Sequence, residues 1–366
     1  MNHPKDLVYV ITGLNRAGAE LVCLSQVTYF ASLGYRVGVI YLVEGHDQLV
    51  PDFEAAGAET VCLGMRSFYS LPQALLRCCR MLRKWRPRIV HSHMIHATIL
   101  VSLIKWTLPR VKLVVTAHSL HEGGRMLYLL QRLTRRAPDL ATNVSEAATA
   151  AYVSHGLFNS RTAKCIPNGV DVNKFRLRED PHARTEGTFT YVCVAQFRPE
   201  KNHRSLLAAF ARTYAARPNS RLLLLGEGPM LRECKALAHA LGCAQAVTFA
   251  GGNADVVAAL HSADAFVLVS HYEGFGLAAA EAMAVGLPIV GADVPGLREV
   301  IGSKGALVAP DDIDAISTAM LRCADTPDDA EQRCGRRNHI VQNFSRDTIL
   351  SRWALEYRRL GLERAD

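Results

Sequence analysis

A chain of 366 residues is too long for one compact core and fits two domains of ordinary size. Its 49% hydrophobic and 21% charged residues exclude a disordered chain, and no run reaches the roughly eighteen uninterrupted apolar residues of a membrane helix. The formal charge of +8 invites an anionic partner, while ten scattered cysteines, with no Cys-x-x-Cys pair and no His-Glu-x-x-His helix, predict reduced thiols, a cytosolic setting and no metal site.

The first half alternates apolar strand-like runs with longer helical stretches, the pattern of a parallel sheet. Strands are predicted at residues 7–11, 36–42, 59–63, 88–91, 112–116 and 140–144. Met1 to Asp6 shows no signal-peptide pattern. The turn Gly13-Leu-Asn-Arg-Ala17-Gly18-Ala19-Glu20 follows the first strand and opens the first helix, so its free amides face an anion. It is not a dinucleotide fingerprint, because Gly13, Gly18 and Gly34 lack the Gly-x-Gly-x-x-Gly spacing.

Further on, Leu71, Leu75, Leu76, Cys78, Cys79 and Leu82 interleave at helical spacing with Arg77, Arg80, Arg83 and Lys84. This basic amphipathic helix is either a sheet-covering helix with a basic solvent face or a surface resting on anionic lipid head groups, where each nearby cation contributes about 1 kcal/mol. Nucleic acid ranks third, since no binding motif or aromatic stacking platform accompanies the charge. His91, His93 and His96 follow the fourth strand; His91 reads as packed and His93 as a candidate acceptor contact. His118 ends the fifth strand at the edge where open parallel sheets place ligands.

Residues 171–188 mix Asp, Asn, Arg, Pro and Gly with little periodicity and mark the domain boundary. The expected organisation is a first domain over 1–175, a second over 186–345 and a tail over 346–366. Strands of the second half are predicted at 189–194, 221–225, 246–249, 265–269, 288–290 and 306–308. Phe197 to Asn202 follows the first of these and carries Arg198 and Lys201, and Gly226-Glu227-Gly228-Pro229 closes the second. The tail reads as a helix whose apolar residues are Ile349, Leu350, Trp353, Leu355 and Tyr357.

The most informative segment runs Ser270-His-Tyr-Glu273-Gly274-Phe275-Gly276-Leu277-Ala-Ala-Ala-Glu281, after an apolar strand and into an alanine-rich helix. A helix start carries about half a positive charge and up to about four unpaired donors, so Gly274, Phe275, Gly276 and Leu277 suit a pyrophosphate, and the glycines permit close approach. Glu281 lies about 6 Å along the helix from Leu277, where a carboxylate accepts from both hydroxyls of a ribose. Glu273, on the loop, reaches the far side of the phosphates, where the sugar of a sugar nucleotide sits.

This segment resembles the Glu-x7-Glu signature of the retaining family 4 glycosyltransferases of GT-B fold, and the likeness covers nearly the whole chain. It extends through Gly13 to Glu20, Val90-His91-Ser-His93, Ile166-Pro-Asn168-Gly169-Val-Asp171, Phe197 to Asn202, Gly226 to Pro229 and Asp293-Val-Pro295-Gly296-Leu-Arg-Glu299. The resemblance implies two Rossmann-like, doubly wound α/β domains facing across a cleft, an acceptor-binding first domain, a donor-binding second domain, and a last helix crossing back to the first. It implies that Lys201 binds pyrophosphate and that His118 lies beside the transferred sugar. The family's arginine is replaced here by Gln196, which passes that charge to Arg198; its first loop glycine is replaced by Ala17, which leaves Gly18 as the donor contact. The Gly226 and Glu227 turn is implied to lie near the nucleotide, with the base near Gly251.

The expectation is a metal-independent hexosyltransferase that retains anomeric configuration by same-face attack, uses a nucleoside diphosphate sugar with UDP favoured, and elongates a saccharide or lipid-linked acceptor in envelope polysaccharide or lipopolysaccharide synthesis. Its catalytic residues are Glu273, His118 and Lys201, its acceptor contacts His93 and His118, and its location the cytoplasm, peripheral on the inner membrane face. The rivals are a sugar-nucleotide epimerase or hydrolase of the same fold and a regulator that binds nucleotide sugars without turnover.

Overall fold

A computed structural model describes residues 4–66, 70–120, 122–178, 187–326 and 328–363. The chain divides into two compact units, Met1–Asn168 with Ile349–Asp366, and Gly169–Thr348. Residues 179–186, within the expected boundary at 171–188, lie outside the described residues.

The first unit is built on seven parallel strands: β1 (Leu7–Ile11), β2 (Val37–Val43), β3 (Glu59–Met65), β4 (Ile89–His93), β5 (Lys112–Ala117), β6 (Leu140–Asn143) and β7 (Ala163–Cys165), in the order β3-β2-β1-β4-β5-β6-β7. Helices cover both faces, which is why β1 and β4 are buried along their whole length and β1 reads as an unbroken apolar run rather than an alternating one. One face buries Val8, Leu82, Trp85, Leu100 and Tyr152; the other buries Tyr9, Phe30, Phe53 and Val114. The six strands predicted here form, within one to two residues; β7 has no apolar run and was not predicted, because a three-residue, half-exposed edge strand needs none.

The last helix, Arg346–Arg359, begins in the second unit and gives Ile349, Trp353 and Tyr357 to the first unit's core, as the resemblance implies; Leu355 points to solvent. Helix Leu71–Trp85 buries Ala74, Cys78, Leu82 and Trp85 and presents its basic residues outward. Arg77 departs from that expectation, because its guanidinium donates to the Leu63 carbonyl at 3.0 Å and fastens β3.

The second unit repeats the topology with six parallel strands: β8 (Phe189–Val194), β9 (Ser220–Leu225), β10 (Val247–Gly251), β11 (Ala265–Leu268), β12 (Ile289–Ala292) and β13 (Ala306–Val308), in the order β10-β9-β8-β11-β12-β13. All six occupy the predicted stretches. The change of unit falls at Asn168, ahead of the expected 171–188, because Val170 already bridges Ser345 and Phe175 is buried in the second unit.

Candidate active site

In the second unit the connections leave β8 and β11, which are neighbours, in opposite directions. Such a switch point opens a crevice at the carboxyl ends of the two strands. The loop after β8 brings Lys201 there, the loop after β11 brings Glu273, and the two meet: Lys201 Nζ donates to Glu273 Oε1 at 2.7 Å. Ser270 Oγ donates to the same oxygen at 2.9 Å, and the His271 amide donates to the Glu200 carbonyl at 2.9 Å, so the loops are joined by backbone as well as side chains. Glu273 is only 9% exposed. Its other oxygen, Oε2, holds no hydrogen bond among the described residues.

Lys201 closes a short turn, Pro199–Lys201, and the next residue, Asn202, caps helix His203–Ala216 while its amide donates to the Pro310 carbonyl at 2.7 Å. Beneath the turn, His203 stacks on Phe197 with ring centroids 4.2 Å apart. Burial, and secondarily the charge of Lys201, push the His203 pKa down to about 4, so it supports the loop as a neutral ring. Nothing in the sequence singled out His203 or Ser270; their signal was proximity to Lys201 and Glu273.

Helix Leu277–Ala284 starts at Gly276, whose φ of +89° suits glycine and whose side of the turn is filled by Leu297; no side chain caps the helix. The amides of Leu277 and Ala278 are therefore open donors at the positive end of the helix. Gly296 holds this turn from outside: a Cβ there would lie 2.5 Å from the Glu273 carbonyl oxygen and 2.8 Å from Gly274. Phe275 is buried and packs edge-on to Phe344 at 5.3 Å, so only its backbone is available to a ligand. One turn inside the helix, Glu281 has no hydrogen-bond partner among the described residues. Burial pushes its pKa up to about 7, against the opposing charge of Lys174.

Arg198 and Gln196 are exposed beside Lys201, and Arg198 has no ion pair or hydrogen-bonded partner for its guanidinium among the described residues. Gly226 lets the ends of β8 and β9 touch, since a Cβ would sit 2.0 Å from the Ala195 carbonyl oxygen. Glu227 accepts from the Gly252 amide at 3.3 Å, tying that turn to the end of β10 at Gly251.

In the first unit Gly18 begins helix Gly18–Ser32, with open space where a Cβ would stand. His91 and His93 lie inside β4 rather than after it, and both are fully buried. His91 belongs to a file of hydrogen bonds whose direction one carbonyl decides. Thr142 Oγ1 donates to the Val115 carbonyl at 3.2 Å, so its hydroxyl accepts from Thr116 at 2.7 Å, and Thr116 in turn accepts from His91 Nε2 at 2.6 Å. His91 Nδ1 is then an acceptor, taking the Tyr357 hydroxyl at 2.5 Å, and Tyr357 accepts from Tyr9 at 3.2 Å. Burial, with the nearby His118, holds the His91 pKa well below the usual histidine range, as a neutral ring in this file requires.

His93 Nδ1 lies 2.9 Å from His118 Nε2, and the remaining nitrogens, His93 Nε2 and His118 Nδ1, are buried without partners. His93, fully buried, thus meets His118 rather than solvent, and burial pushes the pKa of the half-buried His118 down to about 4. Glu122, which the sequence reading missed, accepts from the His118 amide and also takes amide hydrogen bonds from Ile95 and Ser119; burial pushes its pKa up to about 7.

Two Rossmann-like units of this topology define the GT-B class of glycosyltransferases. The chain belongs to glycosyltransferase family 4: residues 16–174 match the family model described as Glycosyltransferase Family 4, and residues 175–339 match Glycosyl transferases group 1. Among curated relatives, a glycogen synthase of Mycobacterium tuberculosis is 28% identical over 290 residues, covering 75% of this chain and 69% of the relative. A D-inositol 3-phosphate glycosyltransferase of Segniliparus rotundus is 31% identical over 288 residues, covering 72% and 63%. A GDP-mannose-dependent phosphatidylinositol monomannoside mannosyltransferase of Mycolicibacterium smegmatis is 29% identical over 229 residues, covering 57% and 60%. Among solved structures, Anabaena HepE in complex with UDP and glucose superposes with a TM-score of 0.83 at 19% identity, over 97% of this chain and 99% of that one, a likeness of fold.

Proposed function

We propose that this glycosyltransferase moves a hexosyl group, with retention, from a nucleoside diphosphate sugar to a hydroxyl of a saccharide or lipid-linked acceptor in envelope polysaccharide or glycolipid synthesis. The observation that carries the reading is the arrangement at the β8–β11 switch point, where the two loops bring together a lysine–carboxylate pair, an open helix start and a half-buried Glu281 without a hydrogen-bond partner among the described residues.

The reaction must stabilise a departing diphosphate and an oxocarbenium-like sugar. Lys201, Arg198 and the amides from Gly274 to Leu277 supply positive field to the diphosphate, the work a divalent ion does in metal-dependent enzymes. Glu281 accepts from the ribose hydroxyls. Glu273, steadied by Lys201 and Ser270, offers Oε2 to the sugar's ring hydroxyls or its developing charge, and His118 is the residue that the family resemblance assigns to the transferred sugar. Gly251 borders the base. The acceptor hydroxyl attacks the anomeric carbon on the face the diphosphate leaves, and its proton passes to the leaving phosphate oxygen.

UDP is the favoured nucleotide, in line with the uridine nucleotide held by the structural neighbour HepE, although the mannosyltransferase relatives are named for GDP-mannose. A lipid-linked acceptor calls for a peripheral contact with anionic membrane, for which Arg80, Arg83 and Lys84 are exposed; among the described residues no helix is long and apolar enough to span a bilayer. Melting-temperature shifts with UDP-, GDP- and ADP-sugars, followed by assignment of the product's anomeric configuration by NMR, test the reading. An inverted product, or no shift with any donor, overturns it.

A further inference from the structure

Helix Arg125–Thr134 of the first unit is apolar on two sides: Tyr128 packs against the core, with Leu127 and Leu130 half-buried, while a second apolar stripe faces outward. Gln131 is its only fully buried residue, and the buried Gln131 side-chain oxygen has no partner. Met126, Leu129 and Leu133 are instead 64%, 50% and 74% exposed. The spacing i, i+3, i+7 puts these three on one stripe. Arg125 and Arg132 line one edge of it, and Arg135 and Arg136 follow its end. A single exposed leucine needs no explanation, but an apolar stripe on a helix that buries an amide does.

The surroundings say what covers it. From Arg66 to Pro138 the chain holds fourteen Lys and Arg and a single acid, Glu122, whose carboxylate is occupied by backbone amides. That segment is net +13, and the rest of the chain, against a total of +8, is net −5. A second copy of this face would set like charge against like, so self-association does not suit it. Beside the helix end, Arg135, Arg136, Arg161, Asn159 and Ser160 line a cavity of about 640 Å³, a size and chemistry that admit a phosphate-bearing head group. The neighbouring helix Ile95–Ile104 packs alongside and follows an adjacent parallel strand, so the two helices run the same way. Trp106, just past its end, is 76% exposed. An exposed tryptophan at the end of the neighbouring helix, with an apolar stripe edged by arginines, matches the boundary layer of a bilayer.

We propose that helix Arg125–Thr134 is the membrane-seating element of this enzyme: Met126, Leu129, Leu133 and Trp106 enter the head-group boundary of an anionic bilayer while Arg132, Arg135 and Arg136 meet lipid phosphates. This rests on the peripheral contact advanced above and relocates its apolar part, from helix Leu71–Trp85 to this one. The experiment is co-sedimentation of the full chain with phosphatidylglycerol–phosphatidylcholine vesicles carrying brominated acyl chains. Trp85 and Trp353 are buried, so quenching reports on Trp106.

The wild type is expected to sediment and to be quenched, more weakly on pure phosphatidylcholine. A Leu129→Glu/Leu133→Glu variant is expected to lose at least about tenfold in partition and to lose the quenching, with its melting temperature unchanged because both sites are exposed. Arg135→Ala/Arg136→Ala should lose binding only on the anionic vesicles. If the double-glutamate variant sediments like wild type while Arg80→Ala/Arg83→Ala/Lys84→Ala does not, the assignment to this helix is overturned and a contact through helix Leu71–Trp85 stands. If the wild type ignores vesicles yet UDP-glucose raises its melting temperature, the membrane proposal falls and the transferase reading survives.

Discussion

Lys201 and Glu273 are 72 positions apart in the chain and 2.7 Å apart in space, on the two loops that flank the switch point of the second sheet. Each steadies the other, and the proposed mechanism gives each a further task, the lysine towards the diphosphate and the carboxylate towards the sugar through its second oxygen. Lys201→Ala and Glu273→Ala should each lower turnover by about a hundredfold to a thousandfold, the usual cost of one transition-state contact. Initial-rate kinetics beside a thermal melt check this. Near-normal rates from both variants, with intact melts, would remove the pair from the mechanism.

Glu281 should make donor affinity fall with acid. Its pKa, raised by burial to about 7 from an ordinary 4.5, leaves it partly protonated at neutral pH, and a protonated carboxyl is a poorer acceptor for two ribose hydroxyls. The same shift has a stability consequence of opposite sense. A raised folded-state pKa favours the protonated fold, so the stability this group adds is fully present below 4.5 and is lost as pH rises through about 7. Glu281→Gln should therefore melt higher than wild type at pH 8 by about 2 °C or more and match it at pH 4.5, while binding donor more weakly. Calorimetric titration and paired melts separate the two effects.

Gly296→Ala tests the packing behind the glycine turn. Its new methyl would press on the carbonyl of Glu273 and on Gly274, backbone that cannot swing aside as a side chain would. Displacing that turn by a fraction of an ångström should cost about a hundredfold in kcat/KM with modest loss of stability. Steady-state kinetics at saturating acceptor measure it, and a variant as active as wild type would show that the turn's placement is not critical.

Tyr357→Phe should destabilise the first unit by about 1–3 kcal/mol, because His91 Nδ1 would be left buried without its donor. Trp353→Ala, which empties a fully buried indole site, should cost about 3–5 kcal/mol. Urea unfolding curves give both values, and donor binding by the second unit should be preserved in the milder variant.

If Lys201, Arg198 and the helix-start amides meet the diphosphate's charge as proposed, transfer should continue at an unchanged rate in excess EDTA. Loss of activity restored by a divalent cation would refute the metal-independent mechanism.

The sheets were legible because buried parallel strands are written as apolar runs between helical stretches, and every such run from Leu7 to Val308 became a strand. β7 was not, having too little buried surface to leave a pattern. The histidines of β4 were placed after their strand because polar residues end most apolar runs; here a row of hydroxyls and the last helix satisfy them inside it. The glycine turn and Glu281 could be read from local spacing, whereas Ser270, His203 and Glu122 matter only through partners that folding brings near. The outward stripe of helix Arg125–Thr134 could not be recognised either, since Met126, Leu129 and Leu133 look like core residues until their exposure is known.

The file running from Tyr9 through Tyr357, His91, Thr116 and Thr142 to the Val115 carbonyl has one further consequence for its members. Each inner link, Tyr357, His91, Thr116 and Thr142, both gives and receives one hydrogen, so none of them can reorient without its neighbours. The imidazole of His91 is thereby frozen in one tautomer, unable to pass protons along the strand, and its neighbour His93 faces a ring of constant polarity whatever happens in the solvent.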